Sequence, residues 1–155
     1  MPSDSDITFR DARRDDLGTI IRLLADDPMG AKRESVEVAP GPQYRAAFDA
    51  ISADPNNRLI VAQLGDDIVG CLQLTFIPGL SRNGATRGQI ESVRIASHLR
   101  GRGLGYDFFE WAIEACRAEG CQMVQLTTDK SRDDAFRFYE RLGFQPTHDG
   151  MKLVF

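Results

Sequence analysis

The chain has 155 residues, of which 42% are hydrophobic and 27% are charged, and its formal net charge is −4. These values are typical of a globular protein with one hydrophobic core, so we expect a single domain over residues 1–155. The acidic balance argues against nucleic acid as a partner, and without an apolar run of about 18 residues we expect no membrane partner.

The first half of the chain predicts a strand, two helices and a hairpin. Alternating residues at 7–12 indicate a short strand, and apolar residues at helical spacing indicate a helix over 13–27. A loop rich in proline and glycine follows at 28–42, a type of segment that often carries function. A second helix is predicted over 43–54. Two β-branched runs within 58–77, separated by the sequence GDD, predict a hairpin.

The second half predicts further strands around two helices. Strands are expected at 87–97 and 121–129, and helices at 103–120 and 131–143. The segment 144–155 predicts two short strands around the turn HDG. Because parallel strands require a crossover connection, the strands on either side of the long helix should be parallel neighbours. The order of elements therefore predicts a mixed sheet.

Two arginines and three glycines stand directly before the long helix: Arg100, Gly101, Arg102, Gly103 and Gly105. Backbone N–H groups at a helix N-terminus bind anions, and glycines let a ligand approach the backbone closely. The arginines can add charge-assisted hydrogen bonds to the same anion. Neither the P-loop pattern nor the dinucleotide-binding glycine pattern fits this stretch. The residues predict an anion-binding turn, with a solvent-exposed loop as the alternative.

Two motifs in the C-terminal part of the chain resemble the GNAT superfamily of N-acetyltransferases. The string Arg100-x-x-Gly103-x-Gly105, preceded by IESVRIASHL, is similar to the family's turn that binds the pyrophosphate of acetyl-CoA. The stretch DDAFRFYERLGF is similar to its last conserved helix. The resemblance implies a single-domain α+β (mixed α/β) fold, in which about four helices flank a mostly antiparallel mixed sheet of six or seven strands. It also implies acetyl-CoA as co-substrate and no metal.

The resemblance implies that Glu91 and Tyr139 are the catalytic residues. Glu91, which by strand alternation shares one face with Val93 and Ile95, is the candidate base that accepts the proton of the attacking amine. Tyr139 is the candidate acid that protonates the departing thiolate. The alternatives are a strand carboxylate paired with an arginine for Glu91, and an aromatic ring buried against the sheet for Tyr139.

The cofactor-binding candidates implied by the resemblance lie on the strand, the turn and the start of the last helix. They are Val93, Arg94, Ile95, Arg100, Gly101, Arg102, Gly103, Leu104, Gly105, Ser131, Arg132 and Phe136. Main-chain groups of the strand would hold the pantetheine arm and donate to the oxyanion. Ser131 is expected to cap the last helix. Arg132 stands where many family members have asparagine, which predicts either a contact with the CoA phosphates or a surface side chain.

The three cysteines, Cys71, Cys116 and Cys121, lie in apolar stretches. An odd number in such surroundings argues against a disulfide framework and favours core positions in a reducing compartment. The polar, acidic N-terminal residues lack the features of a signal peptide. We therefore expect a cytoplasmic protein.

These observations together predict an N-acetyltransferase that moves the acetyl group of acetyl-CoA to a primary amine of a small molecule, by direct attack in a ternary complex. Two alternatives stay open, a non-catalytic acyl-CoA-binding or sensing domain of the same fold and an acyltransferase that uses another acyl-CoA. The acceptor is expected at 28–42, the helix that follows and 78–87, where charges of both signs identify no particular amine. The sequence also leaves a homodimer open.

Overall fold

The computed structural model describes residues 6–155 and contains one mixed sheet in the strand order β1-β2-β3-β4-β5. The strands are β1 (Ile7–Asp11), β2 (Asn57–Leu64), β3 (Asp67–Pro78), β4 (Thr86–Ile95) and β5 (Met123–Gln125). Neighbours from β1 to β4 are antiparallel, and β5 runs parallel to β4. The predicted α+β class and the predicted parallel pair are therefore confirmed.

The helices are α1 (Leu17–Ala25), α2 (Gly30–Arg33), α3 (Pro42–Ala53), α4 (Ser81–Gly84), α5 (Leu104–Ala118) and α6 (Asp133–Arg141). The four longer ones match the predicted helices, and α2 and α4 are single turns inside predicted loops. Helices α5 and α6 end before glycines in the left-handed region, Gly120 at φ 81° and Gly143 at φ 94°. Within residues 6–155, no helix combines the length and the apolar character needed to cross a bilayer.

Helices cover both faces of the sheet. On one face, Phe108 of α5 is fully buried and stacks on Phe9 of β1, with 4.9 Å between the ring centroids. Burial of one such aromatic side chain contributes about 2–3 kcal/mol. Helix α5 approaches β4 so closely that a Cβ at Gly88 would overlap the sulfur of Cys116. On the other face, α1 and α3 bury a second cluster, made of Leu17, Ile21 and Phe48.

A bulge in β4 reverses the alternation of its side chains. Glu91 and Arg94 are three residues apart, but their partners on β3 are only two apart, and Ser92 between them has a φ of 56°. An extra residue in one strand shifts all later side chains to the other face. Glu91 and Arg94 therefore lie on one face and Ile95 on the opposite one. The prediction that Glu91 and Ile95 share a face is wrong for this reason.

The predicted strand count is too high at the C-terminus. Residues 144–155 form no strand, so the described part of the sheet has five strands rather than six or seven. The apolar side chains of Met151, Leu153, Val154 and Phe155 are exposed. A strand is stable only beside a hydrogen-bonding neighbour, and β5 at this edge has just three residues.

Candidate active site

One edge of β4 is open beyond its first residues. Strand β5 pairs with β4 only at Arg87–Gln89, whereas β3 pairs with β4 as far as Ile95. Over residues 90–95, β4 therefore has no paired neighbour on the β5 side. Backbone groups on such an edge can hydrogen-bond an extended ligand. The opening leads from the bulge to the turn that precedes α5.

The turn before α5 presents bare backbone. Gly101 and Gly103 have φ values of 78° and 87°, a region that residues with a Cβ rarely adopt. A Cβ placed on either glycine would meet no atom within 4 Å, so both positions face open space. Gly103 is the N-cap of α5, and no side chain caps this helix. The first N–H groups of the helix, which include those of Leu104 and Gly105, have no acceptor within it and point outward.

The arginines of this turn contact other parts of the protein. Arg100 donates a hydrogen bond from Nε to the carbonyl of Ile95 (3.0 Å) and one from Nη2 to the carbonyl of Asp26 (2.8 Å). It also pairs with the Asp26 carboxylate at 3.6 Å. Arg102 lies in a crevice beside Ile7, on the β1 side of the turn. Arg100 therefore fixes the turn to the end of α1, and backbone N–H groups are the main donors that face the open space.

The bulge places Glu91 and Arg94 side by side. Their β3 partners are two residues apart, which corresponds to about 7 Å along the strand. Glu91 is exposed, whereas the Arg94 side chain is only 16% exposed and donates from Nη1 to the carbonyl of Val93 (2.9 Å). Among residues 6–155, the Nε of Arg94 is the one buried side-chain nitrogen or oxygen without a hydrogen bond. Its ion-pair partner is Asp27.

Asp27 joins the end of α1 to β4 and to the start of α6. Its Oδ2 lies 3.2 Å from Arg94 Nε and 3.1 Å from Arg132 Nη2, and its Oδ1 accepts a hydrogen bond from the N–H of Gly30 at 2.5 Å. The 3.2 Å contact is an ion pair without hydrogen-bond geometry. Burial raises the pKa of Asp27, but these donors outweigh it and hold the pKa below its ordinary value. No local pattern marks Asp27 in the sequence, because its partners Arg94 and Arg132 lie far away along the chain.

Tyr139 sits at the contact between α5 and α6. Its ring packs at centroid distances of 5.4–6.2 Å against Phe109, Phe138 and Phe144. Burial raises the pKa of Tyr139, and the charges of Arg132 and Arg94 act in the opposite direction. The hydroxyl is therefore protonated at neutral pH and lies in the field of two guanidinium groups.

The other predicted residues lie on β4 and around the start of α6. Val93 and Ile95 on β4 are half-buried, and Phe136 on α6 is 40% exposed. Arg132, not Ser131, is the N-cap of α6, because the Ser131 hydroxyl donates to the Asp129 carboxylate at 2.6 Å. The prediction of Ser131 as the cap is therefore wrong. The structure groups Arg94 and Arg132 near Tyr139, with Glu91 next along β4, whereas Arg102 lies apart.

Comparison with known proteins identifies the family. Residues 19–144 match the Acetyltransferase (GNAT) family. The aminoalkylphosphonate N-acetyltransferase of Salmonella typhimurium is 30% identical over 105 residues, which is 68% of each chain. A solved structure described as a transcriptional regulator from Bacillus halodurans is 48% identical with a TM-score of 0.93, covering 96% of this chain and 99% of its own.

A second solved structure, a putative acetyltransferase from Agrobacterium tumefaciens, is 26% identical with a TM-score of 0.82, covering 95% of this chain and 99% of its own. The family match runs from α1 to the end of α6, so it includes the open edge of β4 and the glycine turn. The motifs at that turn and on α6 fall within it. The chain belongs to the GNAT family of acetyltransferases.

Proposed function

We propose that this protein is an N-acetyltransferase that moves the acetyl group of acetyl-CoA to the primary amine of a small molecule, by direct attack in a ternary complex. The observation that carries the proposal is the open edge of β4. It links the uncapped N-terminus of α5 at one end to Glu91 at the other. The Salmonella relative, whose name gives an aminoalkylphosphonate as its acceptor, supports a small amine.

The residues present fit a CoA thioester. Gly101 and Gly103 have positive φ values, and the space where a side chain would stand at each is open. A diphosphate could therefore approach their backbone closely. The unpaired edge at Val93 and Ile95 offers main-chain donors and acceptors for the amide groups of a pantetheine arm. When bound, acetyl-CoA supplies an acetyl group activated as a thioester.

The chemistry makes three demands that this chain's residues can meet. An alkylamine with a pKa near ~10 must lose a proton, and Glu91, exposed beside the bulge, accepts it directly or through a water. N–H groups of the β4 edge donate to the carbonyl oxygen as it gains charge. The hydroxyl of Tyr139 gives its proton to the departing sulfur, and the positive charges of Arg94 and Arg132 stabilise the phenolate until it takes up the second proton that the nitrogen loses as the amide forms.

A second candidate function is a CoA-binding regulator without turnover. The Bacillus halodurans structure, 48% identical and described as a transcriptional regulator, favours it. The net charge of −4 lacks the basic balance typical of direct DNA binding, so such a protein would act by sensing its ligand. A different acyl-CoA is a further variant of the main proposal, since the turn would contact only the CoA part.

Release of free thiol from acetyl-CoA over a panel of small primary amines tests the proposal. Wild type should release thiol with at least one amine, and Glu91→Gln should lower kcat/KM by about 10²–10⁴-fold. Arg117→Gln, a change of a 66%-exposed residue at the far end of α5, is the matched control and should keep full activity. Saturable binding of acetyl-CoA with no turnover on any amine would instead favour the regulator.

A further inference from the structure

The segment 151–155 carries apolar side chains that no part of residues 6–155 covers. Met151, Leu153, Val154 and Phe155 are 81–111% exposed. Full burial of a side chain of this kind removes about 60–120 Å² of apolar surface from water, so the four together account for about 240–480 Å². Apolar patches of this size on a protein surface often serve an interaction. The segment therefore has the character of one half of an interface.

Strand β5 and a cavity beside it form a second surface without a partner. In the described sheet β5 is the last strand and pairs with β4 on one side only, so the N–H and C=O groups of its other edge lack a strand partner. A cavity of about 280 Å³ lies next to it, lined mainly by apolar side chains of α5, β5 and the residues after α6: Ile113, Cys121, Met123, Val124, Leu142 and Phe144. We call the free edge of β5 and this cavity the β5 slot. It offers backbone hydrogen bonds and apolar surface together, which an added strand uses.

The protein's own residues 144–150 pass the β5 slot without pairing with it. Phe144 lines the cavity together with Met123, and a Cβ at Gly150 would lie 3.9 Å from the Thr127 side chain, just beyond β5. Residues 144–155 nevertheless form no strand. After Gly150 the apolar side chains point into solvent rather than into the slot. One copy of the chain therefore leaves both the slot and the segment 151–155 without a partner.

We infer that the protein forms a two-fold dimer in which residues 151–155 of each copy pair with β5 of the other copy and fill its β5 slot. Each copy supplies one segment and one slot, so an exchange of identical segments satisfies both surfaces at once. In an extended strand Met151, Leu153 and Phe155 share one face, which would pack on the cavity. Lys152 lies on the other face of such a strand.

The area that the exchange covers is sufficient for a stable dimer. Two segments and the two slots that receive them would together bury about 1,000–2,000 Å² of apolar surface, close to the range of about 1,200–2,000 Å² found for specific interfaces. Main-chain hydrogen bonds along β5 would add to this contact. The slot lies across β5 from β4, so the dimer involves none of the proposed catalytic residues and is independent of turnover.

The oligomeric state tests the inference. Light scattering after gel filtration at about 100 μM, above the micromolar Kd that interfaces of this size have at the weak end, should give twice the mass of the chain. Leu153→Gln should raise the Kd of the dimer by about 10²–10⁴-fold, because two buried leucines are lost from each dimer. Lys152→Gln, which puts the same side chain on the opposite face, is the matched control and should keep the wild-type Kd. A monomeric wild type overturns the inference, and so does a dimer whose Kd is unchanged in Leu153→Gln.

Cross-linking shows whether the segment reaches the other copy. One chain carries Gln125→Cys on β5 and a second chain carries Lys152→Cys, both with Cys121→Ser, since Cys71 and Cys116 are buried. Each chain then has a single accessible thiol, so no link can form within one chain. After mixing, a short bismaleimide should join the first kind of chain to the second, and Leu153→Gln in both should abolish the link. Absence of this link overturns the inference, as expected if the segment folds back onto its own β5.

Discussion

Replacing Gly103 by glutamine is the sharpest test of the glycine turn, because the same helix offers a matched control. Gly103 at the start of α5 has a φ of 87°, and Gly120 just after its end has a φ of 81°. A Cβ meets nothing within 4 Å at either position, so neither substitution creates a clash. Both changes place a side chain in left-handed backbone, but only Gly103 lies where we propose that the diphosphate binds.

The two variants should lose similar stability. A residue with a Cβ in this conformation costs about 1–2 kcal/mol, which for a chain of this size lowers Tm by about 2–8 °C. Acetyl-CoA at 100 times its Kd should stabilise the wild type by about 2.7 kcal/mol, a rise in Tm of about 5–11 °C. The rise caused by ligand is therefore at least as large as the loss caused by strain.

Thermal melting with and without acetyl-CoA separates the two effects. Gly120→Gln should melt lower than wild type and still show the full rise with ligand. Gly103→Gln should melt lower by a similar amount and show little or no rise. A full ligand-induced rise in Gly103→Gln would refute the assignment of the CoA phosphates to this turn.

Three further outcomes are expected. Tyr139→Phe should lower kcat at least tenfold with little change in Tm, and an unchanged kcat would remove the acid role of Tyr139. Because burial raises the pKa of Tyr139, wild-type activity should not fall until the pH exceeds the ordinary range of a phenol. Gly88→Ala should destabilise the protein by about 1–3 kcal/mol in urea unfolding, and Cys116→Ala in the same chain should recover part of this loss by making room. Burial raises the pKa of Asp16, but hydrogen bonds from the Arg10 side chain and the Arg13 N–H hold this pKa below its ordinary value. The stabilising effect of Asp16 is therefore present above the ordinary carboxyl pKa and lost as the pH falls through the lowered pKa. Asp16→Asn should flatten this acid limb of the plot of unfolding free energy against pH.

Elements with strong local signals could be predicted from the sequence. The apolar spacing of α1, α3, α5 and α6 and the glycines that follow α5 and α6 depend on residues within a few positions of each other. The parallel pairing of β4 and β5 follows from the handedness and length of the connection between them. The glycine turn also has a strong local signal, because its composition alone indicates a backbone that a ligand can approach closely.

Features that depend on distant partners could not be predicted. Asp27 pairs with Arg94 and with Arg132, residues from the middle and the end of the chain, and no local pattern marks such a pair. The C-terminal segment has the alternation of a strand, but alternation cannot supply a neighbouring strand with free hydrogen-bonding groups. For the same reason the sequence marks Arg132 only as a departure from the family pattern, and its contact with Asp27 is seen only in the structure.

The bulge in β4 shows why the chemistry of the site depends on a local irregularity. In a regular strand, residues three apart point to opposite faces, so Arg94 would lie on the side of α5 and away from Glu91. Holding Ser92 at a φ of 56° costs about 1–2 kcal/mol, which the packing of the surrounding fold offsets. The result is a carboxylate and a guanidinium on one face, at an edge where the neighbouring strand has already ended. On an ideal strand the same residues would lie on opposite faces of the sheet, with Glu91 on the side of α1 and Arg94 on the side of α5.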